Sequence, residues 1–315
     1  MSIVTAAHPS LKIVFGAASA EGFDLGVPVL AGTAVENIFG PALRAGRAGA
    51  FELFQAGEWL LGVATVPLAA GLEAATQATY ADLFRAASGL RLARIWNYVP
   101  AINACPGGGI ENYQAFCRGR SLAFERHLGA GFKTQVPAAS AVGSKGGQLV
   151  VVFAACRAPL RHVENPLQVP AYDYPAEFGP RSPSFARATL VAPAGGGAAT
   201  AVFISGTAAI RGHATMAPGD TRRQLDFTLE NLRELSAACA LGPLFERGTG
   251  AAAGVTRHFK VYIRHAAEQA WIAAALRERL LRDGDVVSYL EADICRAPLN
   301  VEIEATLVRG AAVTA

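Results

Sequence analysis

The sequence predicts an α+β protein of two tandem units, each a mixed β-sheet covered on one side by two helices. Three observations carry this. Both halves of the 315-residue chain contain the order strand, helix, strand, helix, strand in their hydrophobic periodicity. Several strands alternate apolar and polar residues, most strictly from Leu299 to Leu307. Between the halves lies Arg157–Ala188, whose six prolines preclude a helix and most central strands. The division that follows is a first unit at 1–156, a connecting strap at 157–188 and a second unit at 189–315.

In chain order, "LKIVFGA", "GAFELFQAG" and "WLLGVATV" read as strands, and "GLEAATQATYADLFRAASG" as a helix. "LRLARIWNYV" is a strand, "ENYQAFCRGRSLAFERHLG" a helix and "GQLVVVFAAC" a strand. In the second half, Thr200–Ile210 is a strand ending in small residues. A helix follows, with Asp220 as N-cap, Leu225, Leu229 and Leu232 at helical spacing and Gly242 as its stop. "HFKVYIR" sets Phe259, Val261 and Ile263 against Lys260, Tyr262 and Arg264, as a strand does. The next helix carries Ile272, Leu276 and Leu280 on one face and closes at Gly284. "VVSYLEADI" and "LNVEIEATLV" are the last strands, separated by "CRAP".

Composition narrows the function classes. With 52% hydrophobic and 17% charged residues, the chain has material for a core and is no disordered segment. A net charge of +3, without a basic block, gives no footprint for nucleic acid. Every apolar run is interrupted by Glu, Arg, Gln or Gly, so no membrane span is expected, and the start lacks the pattern of a signal peptide. Five cysteines without a CxxC pair suit reduced thiols in the cytoplasm. The six histidines show no HxH or HxxxH pairing, so no metal is expected. "GSKGG" lacks the spacing of a phosphate loop, "ISGTA" is not a hydrolase elbow, and "PGGGI" and "PAGGGAA" read as plain loops.

Two features leave alternatives open. On the last strand Asn300, Glu302, Glu304 and Thr306 share one face, which either meets water or lines a cleft. The strap carries Tyr172, Tyr174, Phe178, Phe185, Arg181 and Arg187, and either ties the units together or packs back over a pocket.

The segment "ISGTAAIRGHATMAPGDTRRQLDFTLENLRELSAACA" followed by "ADICRAPLNVEIEATLV" resembles the small trimeric RidA (YjgF) fold over roughly residues 200–310. The matching positions are Ser205, Gly206, Gln224, Asn231, Leu232, Cys295, Arg296 and Glu302. "IWNYVPAIN", "ENYQAFCRGRSLAF" and "VPAYDYPAEFGPRSPSFARA" extend the likeness over most of the chain to the chorismatase family, some of whose members are called pteridine-dependent dioxygenases or deoxygenases. No pterin site is legible.

The resemblance implies two RidA-like units with a site in the cleft between them, acting on chorismate without a cofactor. It implies Glu302 as the acid that protonates the enol-ether methylene, with Glu304 about 7 Å further along the strand. Chorismate bears two carboxylates, which arginine forks suit. Arg120, Arg181, Arg187 and Arg296 are the candidates, each otherwise a surface charge. Tyr113, Tyr174 and Asn97 would add hydrogen bonds, Phe178 and Phe185 would wall the diene, and Gly206, Thr207 and Ala208 would line the pocket.

In the family, two pocket positions track the product. Here they are Ala208, which resembles the type hydrolysing chorismate to a trans-dihydrodiol, and Cys295, which resembles the hydroxybenzoate-forming types. Cys295 is either an aid to moving a ring proton or a small buried hydrophobe. The expected products are pyruvate and 3-hydroxybenzoate, with or without the 4-isomer. An imine/enamine deaminase and a non-catalytic small-molecule sensor are the competing readings. One chain supplying both walls of its own site suggests a monomer.

Overall fold

The computed structural model describes residues 11–16, 22–36, 39–193, 197–242 and 254–309. The N-terminal residues weighed above as a signal peptide, and part of the "PAGGGAA" loop, lie outside these. An N-terminal arm supplies β1 (Val29–Gly32). The first unit then runs β2 (Leu43–Ala48), β3 (Phe51–Ala56), β4 (Trp59–Pro67), α1 (Leu72–Ala86), β5 (Arg91–Pro100), α2 (Asn112–Leu128), β6 (Ala138–Ser144) and β7 (Gln148–Cys156). The second runs β8 (Leu160–Val163), β9 (Ala188–Val191), β10 (Ala201–Ala208), α3 (Thr221–Ala238), β11 (Val255–Ile263), α4 (Gln269–Arg279), β12 (Val286–Glu291) and β13 (Val301–Arg309).

The two units share one topology. The first sheet has the order β2-β3-β4-β7-β5-β6, and the second β8-β9-β10-β13-β11-β12 with β1 added at its edge. In each, three strands form a meander, the last strand inserts at the centre, and one pair is parallel: β5 with β6, and β11 with β12. A parallel pair needs a crossover, which α2 and α4 provide. The tandem α+β architecture is therefore the one the periodicity predicts.

Each sheet has two covered faces. Tyr80, Leu83, Phe116 and Phe124 of α1 and α2 pack on Ile95, Val151 and Phe153. Leu225, Leu229, Ile272 and Leu276 of α3 and α4 pack on Phe259, Val261 and Ile303. Asp220 caps α3 as expected, its carboxylate accepting from the Arg223 amide at 3.1 Å. The opposite faces meet one another: Trp96, Tyr98 and Val152 share a cluster with Phe203, Tyr262 and Leu290. Helices thus lie outside and the sheets inside, so the polar face of β13 is enclosed. Glu302 is 3% and Glu304 2% exposed.

The structure differs from the sequence reading at the edges. "LKIVFGA" forms only the two-residue pairing of Ile13 and Val14, flanked by Phe23–Asp24 and Val35–Glu36. β1 joins β12, so part of the 1–156 segment belongs to the second sheet. Within the expected strap, Leu160–Val163 is an edge strand paired with β9. Pro159 precedes it and removes no ladder bond. β2 and β6 give no alternating signal: β2 is almost wholly exposed at a sheet edge, and β6 is small residues lying close to the second unit. α4 ends at Arg279, short of Gly284, while Leu280 still packs in the core. Among the described residues no helix is long and apolar enough to cross a membrane.

Candidate active site

A cavity of about 210 Å³ lies where the segment after β8 folds back over the seam between the sheets. By the liquid volume of water it holds roughly seven waters, the scale of a small molecule. Glu302 of β13 and Gly206 and Ala208 of β10 form its floor, since register pairs Glu302 with Ala208. Tyr113 and Arg120 come from α2, and Cys295 and Arg296 from the turn before β13. Tyr174, Phe178, Phe185 and Arg187 close it from the returning segment, so the strap does pack over a pocket.

The seat of Glu302 is built by a β-bulge. The register of β10 against β13 shifts between Ile204 and Thr207, at Ser205 and Gly206. A Cβ on Gly206 would collide with Oε1 of Glu302, so the carboxyl can take this position only against a glycine. We expect Gly206→Ala to displace that carboxyl and to cost about 1–3 kcal/mol in urea unfolding, as overpacking does. An unchanged midpoint would show that the carboxyl is not seated there.

The two carboxyls of β13 have opposite surroundings. Glu304 accepts from Arg94 Nη2 at 2.7 Å, Ser140 Oγ at 2.6 Å and Trp96 Nε1 at 2.8 Å, and pairs with Lys260 Nζ at 3.1 Å. Burial pushes its pKa up, but Lys260 and Arg94, with the Ser140 and Lys260 hydrogen bonds, hold it below the usual carboxylate range. Glu302 accepts no hydrogen bond among the described residues. Burial, then the charge of Glu304, pushes its pKa up to about 8, against the opposing pull of Arg94 and Arg187. At neutral pH one is an anion and the other an acid.

Three arginines line the cavity, and each keeps a buried nitrogen without a hydrogen-bond partner: Nε of Arg120, Nε of Arg187 and Nη2 of Arg296. The rest of each fork is anchored. Arg187 donates to Tyr174 Oη at 2.8 Å and to the Val169 carbonyl at 3.2 Å. Arg296 donates to the His213 carbonyl at 2.7 Å and to Thr215 Oγ1 at 3.1 Å, with its guanidinium 4.1 Å from the Phe178 ring centroid. Arg120 donates to the Ser184 carbonyl at 2.5 Å, and Tyr80, Phe116 and Phe124 surround it. Of these three nitrogens only Arg187 Nε faces a carboxyl, that of Glu164 at 4.0 Å, beyond hydrogen-bond distance. Buried donors without a hydrogen bond are costly, so such a set suits an anionic ligand.

Cys295 borders the cavity as a thiol. Burial and then the charge of Glu302 push its pKa up to about 12, so it is no thiolate base. Burial likewise keeps the Tyr113 hydroxyl protonated.

Two expected site residues fall elsewhere. Arg181 pairs with Glu125 at 2.7 Å on the outer side of the returning segment, away from the cavity, where water screens it. Thr207 is buried but absent from the cavity wall, because alternation turns it away from the face of Gly206 and Ala208, and its Oγ1 bonds the Ser205 carbonyl. Three further residues act as braces. Asn97 links Tyr80 Oη and the Ser140 carbonyl, Gln224 donates to the Pro298 carbonyl at 2.7 Å, and Asn231 donates to the Ala208 carbonyl at 2.9 Å.

Sequence reasoning missed Ser140 at the cavity wall and Arg94 and Lys260 behind it. For Lys260 the signal was present in "HFKVYIR", where Lys260, Tyr262 and Arg264 alternate like the polar residues of β13, whereas Arg94 and Ser140 sit in strands whose polar residues show no such period.

Residues 39–155 match the family model described as chorismatase FkbO/Hyg5-like, N-terminal. A 3-hydroxybenzoate synthase of Streptomyces hygroscopicus is 39% identical over 259 residues, 80% of this chain and 74% of that protein. A chorismatase of Streptomyces rapamycinicus is 39% identical over 251 residues, 78% of this chain and 74% of that protein. Among solved structures, a chorismatase determined at 1.08 Å resolution aligns over 98% of this chain and 96% of its own, with a TM-score of 0.76 and 28% identity.

Proposed function

The chain belongs to the chorismatase family, and from that premise we propose that it is an enzyme cleaving chorismate to pyruvate and 3-hydroxybenzoate, with Glu302 as the proton donor. The observation that carries the reading is the pairing of an acid carboxyl with pKa about 8 and three arginines holding buried nitrogens without hydrogen-bond partners, around one cavity, only the Arg187 Nε facing a carboxyl, that of Glu164 at 4.0 Å.

The chemistry follows from that pairing. Arg120, Arg187 and Arg296 bind the two substrate carboxylates and fix the enol ether over β13. Glu302 transfers its proton to the terminal methylene, and the resulting cation is an oxocarbenium ion. The substrate's own ring hydroxyl attacks the carbon that bears the ether, pyruvate leaves with the ether oxygen, and the hydroxyl proton returns to the Glu302 carboxylate. Opening of the C–O bond at the original carbon, with transfer of the ring proton from carbon to oxygen, then gives 3-hydroxybenzoate. The two products together contain the atoms of the substrate with no water consumed. Phe178 and Phe185 cover the diene and keep solvent from the cation. The Cys295 thiol assists the ring step as a weak proton donor, which favours the hydroxybenzoate over the dihydrodiol. Ala208 favours the hydrolytic outcome, so the ring products need direct separation.

Both units of one chain contribute to this cavity, which is compatible with a monomeric enzyme. All five thiols are free, which supports work in the reducing cytoplasm.

The test is incubation of the purified protein with chorismate, without added metal or cofactor, with pyruvate assayed and ring products separated. Pyruvate with 3-hydroxybenzoate supports the reading, and any 4-hydroxybenzoate would be a second product. A non-aromatic diol would retain Glu302 as the acid and reassign the capture step to water. No pyruvate above the spontaneous rate would overturn it in favour of imine deamination or ligand sensing.

Substituting Arg187 or Arg296 with Met should raise KM about 10–100-fold, since a hydrogen bond to a charged group is worth roughly 1.5–3 kcal/mol. Steady-state kinetics on chorismate checks this. An unchanged KM would remove that arginine from the substrate site.

A further inference from the structure

A row of charges lies between the sheets behind the cavity, beyond what proton transfer from Glu302 alone requires. Cross-strand register sets Lys260 opposite Glu304 and Tyr262 opposite Glu302. Lys260 also pairs with Glu36 of the N-terminal arm, and His258 Nδ1 lies 3.1 Å from Glu36. From the other sheet comes Arg94. Its Nη2 bonds Glu304, while its Nη1 lies 3.5 Å from Ser205 Oγ, next to the Gly206 on which Glu302 rests. Arg94 therefore stands beside both carboxyls and is engaged by one. Ser140, which bonds Glu304, also reaches the cavity wall.

The pairing of charges gives this arrangement its meaning. Arg94 and Lys260 pair with Glu304, Lys260 and His258 face Glu36, and none of these groups forms a hydrogen bond or ion pair with Glu302 among the described residues. We propose that Glu304 is the positioning residue for the proton donor: by engaging Arg94 and Lys260 and placing a fixed negative charge beside Glu302, it keeps that carboxyl in its acid form. This rests on Glu302 being the proton donor. The other titratable groups around the cavity are Arg187, Tyr174 and Glu177 from the returning segment, with Glu164 4.0 Å from the Arg187 Nε, then Glu111, Tyr113 and Arg120 at α2, Cys295 and Arg296 from the turn before β13, and Tyr262 from β11. Arg187 favours the ionised form, and Glu304 is the charge that opposes it.

The sign of each perturbation follows. Neutralising Glu304 removes a repelling charge and frees Arg94, so Glu302 ionises at lower pH. Neutralising Arg94 removes an attracting charge, so Glu302 ionises at higher pH. Unit charges about 7 Å apart at an effective dielectric of about 20 predict displacements on the order of 1–2 pH units.

The experiment is the pH profile of kcat/KM for wild type, Glu304→Gln, Glu304→Asp and Arg94→Gln, with folding checked by thermal melting. The wild-type alkaline limb should fall near pH 8. Glu304→Gln should move it down by about 1–2 units, losing about 5–50-fold at pH 8 while keeping most activity below pH 6. Glu304→Asp should restore it, and Arg94→Gln should move it up. Should Glu304→Gln fail to fold, Arg94→Gln decides by itself, because a limb that stays or falls overturns the proposal. Loss of activity to the same degree at every pH would also overturn it. If Glu302→Gln still turned over chorismate, the proton-donor reading itself would fail. An inactive Glu302→Gln with unmoved limbs in the other variants would reject only the role of Glu304.

Discussion

Glu302→Gln should abolish chorismate cleavage and at the same time stabilise the protein above neutral pH. The loss of activity follows from removing the acid, worth on the order of 10²–10⁴ in rate for a positioned general acid and more where no other donor reaches the methylene. The gain in stability follows from linkage. The pKa of Glu302 is raised from 4.5 to about 8 on folding, so between those values the folded state holds a proton that the unfolded state has released. The stability this group contributes is fully present below pH 4.5 and is lost as pH rises to about 8, at about 1.4 kcal/mol per pH unit. Glutamine keeps the shape and carries no such proton. Urea unfolding at pH 5 and pH 8 reads the effect: the variant's advantage should grow with pH and reach a few kcal/mol, on the order set by that slope. An advantage equal at both pH values would contradict the burial of a titrating acid. Turnover within tenfold of wild type would remove Glu302 from the reaction.

Lys260→Met should be among the most destabilising single substitutions in the chain. Lys260 is 3% exposed and sits between Glu36 and Glu304, which are themselves buried. Burial pulls its pKa down, but Glu36, Tyr98 and Glu304 raise it above the usual lysine value, so it is charged throughout the accessible range. Burial pushes Glu36 up, while Lys260 and His258 pull it well below the usual carboxylate range. Removing one partner of a buried pair leaves an uncompensated charge and costs about 3–5 kcal/mol. The double variant Lys260→Met/Glu36→Gln should recover most of that, because Glu304 keeps Arg94, Ser140 and Trp96. Chemical denaturation of the four proteins of this cycle measures the coupling. A single-variant cost below about 1 kcal/mol would show that water reaches the pair.

Much of the architecture was legible in local pattern. Phe259, Val261 and Ile263 alternate with Lys260 and Tyr262, and Leu225, Leu229 and Leu232 repeat at helical spacing, so strands and helices followed from the residues. The repetition of one element order in both halves predicted two units, and the sheets share one strand order. What stayed illegible had weak or misleading local signal. β2 is exposed on nearly both faces and β6 is built of small residues, so neither shows a period. Arg181 and Arg187 sit six residues apart in one aromatic-rich loop, yet Arg187 lines the cavity and Arg181 pairs with Glu125 outside. No local rule separates them.

By itself the sequence determined the class of the fold, its tandem organisation and, through motif resemblance, the family and the glutamate expected to act. Only the tertiary structure decided what the polar faces of the strands meet. Periodicity establishes that Glu302 and Glu304 share a side, but the partners that ionise Glu304 and leave Glu302 an acid come from far along the chain, Arg94 lying 210 residues away. A carboxyl's proton depends on the dielectric and the charges within a few ångströms, and those are assembled only when the two sheets close on each other.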